Sequence, residues 1–239
     1  MDRNYLTDTV FLMNNKLYYE EKEKSDLIKN HNWHHLLKEY GWEKLNKQWI
    51  KKLNCYLEKQ SNNSLYACLD CGGEGDCLFH CISYALDNTG GYDYKVLRAE
   101  ISESLTYERY QEVIELYQII HAVDDFDGEW DPSTMTFGGF KKILNEGGDH
   151  FWGDFLILNL LKEYLNLNII ILNSNEITSE YYHYPLFYEY DSSINTIIIL
   201  YENEMHFKLV GHFHENKMNV LFTHQIVPDE ILKLINYLR

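Results

Sequence analysis

Hydrophobic residues recur at helical spacing through much of this chain and then crowd into near-continuous β-rich runs. Leu45, Trp49, Leu53 and Leu57 fall on one face of a segment whose other face carries Lys44, Lys47, Lys51, Lys52 and Lys59, the pattern of an amphipathic helix packed on its own protein. Gly41 separates it from an earlier helix expected around residues 25–40, and the polar run QSNNS at 60–64 reads as a linker. Leu78, Ile82 and Leu86 predict a helix that starts at or near Cys77. Residues 95–121, free of Gly and Pro, predict a long helix, and residues 155–165 a further one capped by Asp154. The runs at 167–172, 196–201, 206–213 and 219–223 predict strands, apolar enough to be covered by helices on both faces. Helices first and a sheet afterwards indicate an α+β fold. The chain divides into a helical N-terminal extension (1–64), a central unit (65–215) and a C-terminal strand and helix packed on it (216–239).

Composition narrows the classes. With 239 residues, 45% of them hydrophobic, and 20 tyrosines, the chain can bury a substantial core and is not disordered. No basic region followed by a long apolar run opens it, since the VFLM at 10–13 is too short for a signal peptide. The most apolar stretch, 155–172, is interrupted by Lys162, Glu163, Asn166 and Asn168, which argues against a membrane span. Five cysteines, an odd number, together with the missing secretory address predict reduced thiols in an intracellular, cytoplasmic setting. The net charge of −16 is unevenly placed, because residues 65–239 hold 10 basic and 28 acidic side chains. Such a field repels nucleic acid and anionic lipid and steers a basic partner inward.

The chemistry-bearing stretch is GGEGDCLFHCISYAL at 72–86. Gly72, Gly73 and Gly75 allow a tight turn, and the helix that follows places Cys77 at its N-terminus. Unpaired N–H groups and the positive end of the helix dipole there predict a lowered thiol pKa, and the N–H groups of residues 74–77 predict an oxyanion site. A thiol nucleophile needs a base, and of 11 histidines His206 is the best placed, opening a strand directly after an apolar one. His212 and His214 share that strand, so position alone leaves them open. A rival reading joins Cys68, Cys71, Cys77 and Cys81, with His80 between, as zinc ligands. The acidic cluster DDFDGEWD at 124–131 fails the EF-hand pattern, with Val123 and Thr134 where carboxylates are required, and reads as a surface loop.

These residues carry a family resemblance. EGDCLFHCIS resembles the cysteine motif of the ovarian tumour (OTU) family, GGDHFWGDFLILNLLKEYLNLNIIIL its Trp-Gly loop, helix and strand, and MHFKLV its histidine strand, in the family's order. The resemblance spans roughly residues 65–213. It implies a papain-type cysteine protease fold, with a small central sheet between helical layers and no cofactor. It also implies cleavage of isopeptide or peptide bonds at the C-terminus of ubiquitin, through a thioester. Carried over by position, it makes Cys77 the nucleophile, His206 the base and Glu74 the nearby acid, with Gly75, Asp76, Gly148, Trp152 and Gly153 lining the substrate channel. Lys208 stands where many members place the third, histidine-orienting residue and cannot accept a hydrogen bond, so that position is unfilled. These departures at Glu74 and Lys208 keep a second reading in view, an OTU-fold module that binds ubiquitin without cutting it. The acidic surplus of residues 65–239 fits a ubiquitin tail rich in arginine and a largely basic recognition surface.

Overall fold

The computed structural model describes residues 3–22, 24–56, 64–87, 92–123, 126, 128–174, 183–185, 190–203 and 205–237. The chain opens as an antiparallel meander of β1 (Asn4–Tyr5), β2 (Val10–Met13), β3 (Lys16–Glu21) and β4 (Lys24–Leu27), each paired to the next. This corrects the helical reading of residues 1–64. Asn14 and Asn15 both have positive φ, 53 and 59 degrees, the geometry that closes a two-residue hairpin, and the apolar run before them is a strand. The helix expected at 25–40 shrinks to α1 (Trp33–Leu36), whose Trp33 stacks on Phe213 at 6.0 Å. The next expected helix is present as α2 (Lys47–Tyr56), with Leu45, Trp49 and Leu53 buried. Leu57, Lys59 and the linker residues 60–63 lie outside the described residues, as do 124, 125 and 127 of the acidic loop.

Between α1 and α2, β5 (Trp42–Lys44) pairs with β6 (Tyr66–Leu69), so the segment before residue 65 contributes a strand to the main sheet. The helices follow: α3 (Cys77–Leu86), α4 (Tyr94–Ser104), α5 (Tyr107–Ala122), α6 (Phe137–Glu146) and α7 (Phe155–Leu165). The single helix expected at 95–121 is thus two, because the Thr106 side chain accepts the Arg109 N–H and starts a new helix. Asp154 caps α7 as its position predicts, accepting the N–H of Leu156 and Ile157. The remaining elements are β7 (Leu167–Ser174), β8 (His183–Pro185), β9 (Asn195–Glu202), β10 (His206–His214), β11 (Lys217–Asn219), β12 (Leu221–Phe222) and α8 (Asp229–Tyr237).

Among the described residues the main sheet has eight strands, in the order β5-β6-β10-β9-β7-β8, with β11 on β10 and β12 on β9. Only β7 and β9 run parallel, and every residue of β7 is buried, as the IIIL run requires. One face of the sheet packs on α3 and α7, where Phe155 meets Tyr201 and Phe207. On the other face the Tyr66 hydroxyl donates to Glu230 of α8, which packs on α2. The architecture is therefore α+β, with the sheet between helices. Among the described residues no helix is long and apolar enough to cross a membrane.

Gly211 sits at a close-packed spot on β10, since a Cβ there would come within 2.7 Å of the Met218 sulfur and 2.9 Å of the Trp42 ring. Alanine is the better strand residue in general, so a loss on Gly211→Ala isolates this contact. The expected cost is about 1–3 kcal/mol, read as a lowered Tm; an unchanged Tm would show that Trp42 gives way freely.

Candidate active site

The helix α3 begins at Cys77, where the sequence places it. The turn before it is closed by the Asp76 N–H donating to the Gly73 carbonyl at 3.1 Å, with Glu74 and Gly75 at positive φ, 56 and 84 degrees. The Asp76 N–H is thereby committed, so of the four expected oxyanion donors those of Glu74, Gly75 and Cys77 remain. Cys77 is 6% exposed. The backbone N–H groups of Phe207, Leu78 and Cys77 itself lie near its sulfur and favour its anion. The contact with Phe207 sets the sulfur beside the first residues of β10, and the residue before Phe207 is His206.

His206 opens β10 as expected. Its Nε2 lies 3.1 Å from Asp70 Oδ1, at hydrogen-bond distance but not in hydrogen-bond alignment, and no other partner reaches that buried nitrogen. Asp70 follows the last residue of β6 and was not among the residues the sequence singled out. Glu74, which the resemblance put in the acid's place, is exposed, and its carboxylate makes no hydrogen bond or ion pair among the described residues. Lys208 is paired instead with Glu202 at 2.8 Å. His212 lies against Tyr66, ring centroids 4.8 Å apart, and His214 is beside Glu215, both further along the strand.

The two glycine-rich loops meet backbone to backbone. A Cβ on Gly75 would fall 2.3 Å from the Gly148 carbonyl oxygen, and the Gly153 N–H donates to Gly75 O at 3.3 Å. Trp152, 53% exposed, packs against Gly75. Of the residues expected to line a substrate channel, Asp76 is placed otherwise. Its carboxylate is buried, bonded to Arg98 Nη2 at 2.5 Å and to the Gly148 N–H at 3.1 Å. Arg98, on α4 and fully buried, also donates to the carbonyls of Leu144, Gly75 and Phe151 at 3.0, 3.3 and 3.0 Å, and its guanidinium lies over the Phe79 ring. The sequence reading passed over Arg98. The available signal was its place in the apolar stripe formed by Leu97, Ile101 and Leu105, all buried.

Burial pushes the Cys77 thiol up, and the three N–H groups oppose it without reversing it, so the expected lowering by the helix terminus does not prevail. The cysteines weighed as a zinc set do not assemble as metal ligands among the described residues. Cys68, Cys71 and Cys81 turn their thiols onto the carbonyls of Lys44, Leu69 and Phe207, at 3.9, 3.7 and 3.5 Å. Among the described residues no three His, Cys, Asp or Glu side chains group as a metal ion requires.

No protein-family profile and no curated protein matches the chain. Among solved structures it is similar to an ovarian tumour (OTU) domain in complex with ubiquitin, with 16% identity over 72% of this chain and 81% of that one and a TM-score of 0.41. It is similar also to the Hazara virus OTU bound to ubiquitin (13% identity, 62% and 83% covered, TM-score 0.40). A third is an OTU deubiquitinase from Wolbachia pipientis wMel (14% identity, 71% and 95% covered, TM-score 0.38). The chemistry of the site rests on the side chains described above and on none of these likenesses.

Burial also pushes the Cys68 thiol up to about 12. The folded state therefore holds this proton more tightly than the unfolded chain does. Its contribution to stability is complete below the ordinary thiol range and is lost as pH rises toward 12. Urea midpoints of the native protein should fall between pH 8.5 and 10.5 in part because of Cys68, and Cys68→Ala should shrink that fall. An identical fall in the variant would remove Cys68 from the account.

Proposed function

We propose that this chain is a cysteine-dependent deubiquitinase in which Cys77 is the nucleophile, His206 the general base and then acid, and Asp70 the carboxylate that orients the imidazole. One juxtaposition carries the reading: the Phe207 N–H beside the Cys77 sulfur, His206 next to Phe207 in the chain, and Asp70 3.1 Å from His206 Nε2. With Nε2 turned toward Asp70, Nδ1 is the nitrogen left to take the thiol proton. Burial holds the free thiol neutral, so the thiolate forms as that proton passes to His206.

The thiolate attacks the carbonyl carbon of the terminal residue of ubiquitin, and the oxyanion is met by N–H groups of residues 74–77 other than that of Asp76. His206 returns the proton to the departing amine, leaving a thioester on Cys77. Water then attacks the thioester carbonyl as His206 takes its proton, and the same proton restores the thiol. Ubiquitin as substrate rests on the three ordered sequence motifs and the acidic surplus of residues 65–239. The chemistry is assigned to residues 65–215, with the flanking segments supporting them.

Incubating the protein with a ubiquitin C-terminal electrophile tests this reading. One adduct, on Cys77, is expected, and none on Cys77→Ala. Cleavage of ubiquitin chains should be lost in His206→Ala and kept in His212→Ala and His214→Ala. Tight ubiquitin binding with no adduct, from folded protein, would establish the binding-module reading that the Glu74 and Lys208 departures keep in view.

Asp70→Asn keeps the shape but removes the charge that faces the imidazole once His206 takes the thiol proton, when the pair aligns as a charge-assisted hydrogen bond of the kind worth about 1.5–3 kcal/mol. The expected loss in kcat is therefore roughly 10–150-fold, with KM little changed. A kcat within twofold of native would discharge Asp70 from the mechanism.

A further inference from the structure

We infer that Arg98 is the positioning residue of the Cys77 site, fixing the cysteine turn and the facing glycine loop as one rigid unit through Asp76 and three backbone carbonyls. The inference rests on the reading of Cys77 as nucleophile. Arg98 touches neither Cys77 nor any place a substrate would occupy, being fully buried on α4. Its reach is what matters. Nη2 binds the carboxylate of Asp76, the residue before Cys77, and the carbonyl of Gly75, the residue before that. The same nitrogen binds Phe151 O, next to Trp152, and Nη1 binds Leu144 O near the end of α6. Asp76 then passes the constraint on, since the Oδ1 that meets Arg98 also accepts the Gly148 N–H. One guanidinium thus sets the spacing between the turn that presents the sulfur and the loop that walls the channel.

The surroundings are shaped for this fork. A Cβ on Gly147 would lie 2.4 Å from Arg98 Nε and 2.7 Å from Asp76 Oδ1, so the loop passes closer than any side chain allows, in a left-handed conformation, φ 63 degrees. Phe79, two residues after Cys77, covers the guanidinium face, its ring 3.8 Å from Arg98 Cζ. A lysine keeps the charge but supplies a point donor in place of a planar fork, and so cannot span Asp76, Gly75, Phe151 and Leu144 together. Loss of the fork lets the two loops shift independently, and a displacement of about 1 Å at a nucleophile can cost on the order of a hundredfold in rate.

The test compares native protein with Arg98→Lys and with Asp76→Asn, which keeps an acceptor for the Gly148 N–H but loses the charge facing Arg98. Folding is checked by circular dichroism and thermal unfolding. Two readouts follow: the rate of Cys77 alkylation by iodoacetamide across pH 6–10, and kcat and KM on a fluorogenic ubiquitin C-terminal amide, normalised to titrated active sites. In a positioning role, folded Arg98→Lys loses at least about tenfold in kcat per titrated site with KM within about threefold. Its alkylation profile also shifts to higher pH, and Asp76→Asn falls between it and native. Native per-site kcat and an unchanged alkylation profile in folded Arg98→Lys would falsify the inference, leaving Arg98 a stabilising residue only. Should Arg98→Lys not fold, Asp76→Asn decides by the same criteria; should neither fold, Arg98 is a folding element and the inference falls. Alkylation needs no ubiquitin, so native protein that alkylates readily but cleaves nothing would overturn the substrate reading while still deciding the role of Arg98.

Discussion

A strand that outruns its neighbour leaves backbone groups without a ladder, and the site is built on one such overhang. Alternate residues of β10 bond toward β6: the Phe213 N–H reaches Leu65 O at 2.7 Å, and Gly211 and Leu209 stand opposite Ala67 and Leu69. Phe207 comes next in this alternation, but β6 has ended at Leu69. Its N–H and C=O lie in the interior, where unpaired polar groups are costly. Helix α3 covers both: the Cys77 sulfur lies near the Phe207 N–H, and the Cys81 thiol donates to the Phe207 carbonyl at 3.5 Å. Residues four apart on a helix share a face, so two cysteines one turn apart flank the two backbone groups of one residue. The contact that completes the strand also docks the start of α3 beside His206.

This docking has a chemical cost. The neighbours that hold Cys77 in place also remove it from water, and burial outweighs the three N–H groups that favour its anion. In the proposed chemistry the sulfur cannot rely on the helix terminus alone and needs a proton acceptor at hand. Geometry around it must therefore be held tightly, and the buried Arg98–Asp76 pair does so. Removing one partner of a buried pair typically costs about 3–5 kcal/mol, because the other charge is left uncompensated. The loops at 72–76 and 147–152 thereby become parts of one cooperative unit with α4.

Local signals account for what the sequence made legible. The starts of α3 and α7, the strands at 167–174, 195–202 and 206–214, and the burial of Trp49 and Leu53 all follow from periodicity and caps within a short window. The N-terminal meander was missed because its strands are two to six residues long and its turn is Asn-Asn, a weaker hairpin signal than Asn-Gly. The break between α4 and α5 hung on one Thr cap inside an otherwise unbroken helical pattern. Cys77 and His206 were legible because each opens an element. Asp70 and Arg98 were not, since Asp70 matters only through the pairing of β6 with β10, and Arg98 only through loops from three parts of the chain. Long-range pairings of this kind leave at most an indirect local trace, such as an arginine beside the apolar stripe of α4.

The same pairing explains why the acid beside His206 comes from another strand. Leu209 stands opposite Leu69, so continuing that register one step sets Asp70 opposite Lys208, two residues along the same face from His206. On the far side, Glu202 stands opposite His206 and binds Lys208 at 2.8 Å. Lys208 therefore occupies the +2 position with its charge already spent on Glu202, and it lines, with Asp70, Glu43, Cys68 and Gly41, a small polar pit of about 160 Å³. A carboxylate at position 208 would face Glu202 and Asp70 across both neighbouring strands, three like charges at cross-strand distance, which is unfavourable. A cation there permits an acid on each side, and one of them reaches the imidazole. The lysine two residues after His206 and the aspartate proposed to orient the imidazole are thus two consequences of one charge arrangement, and neither makes sense without the other.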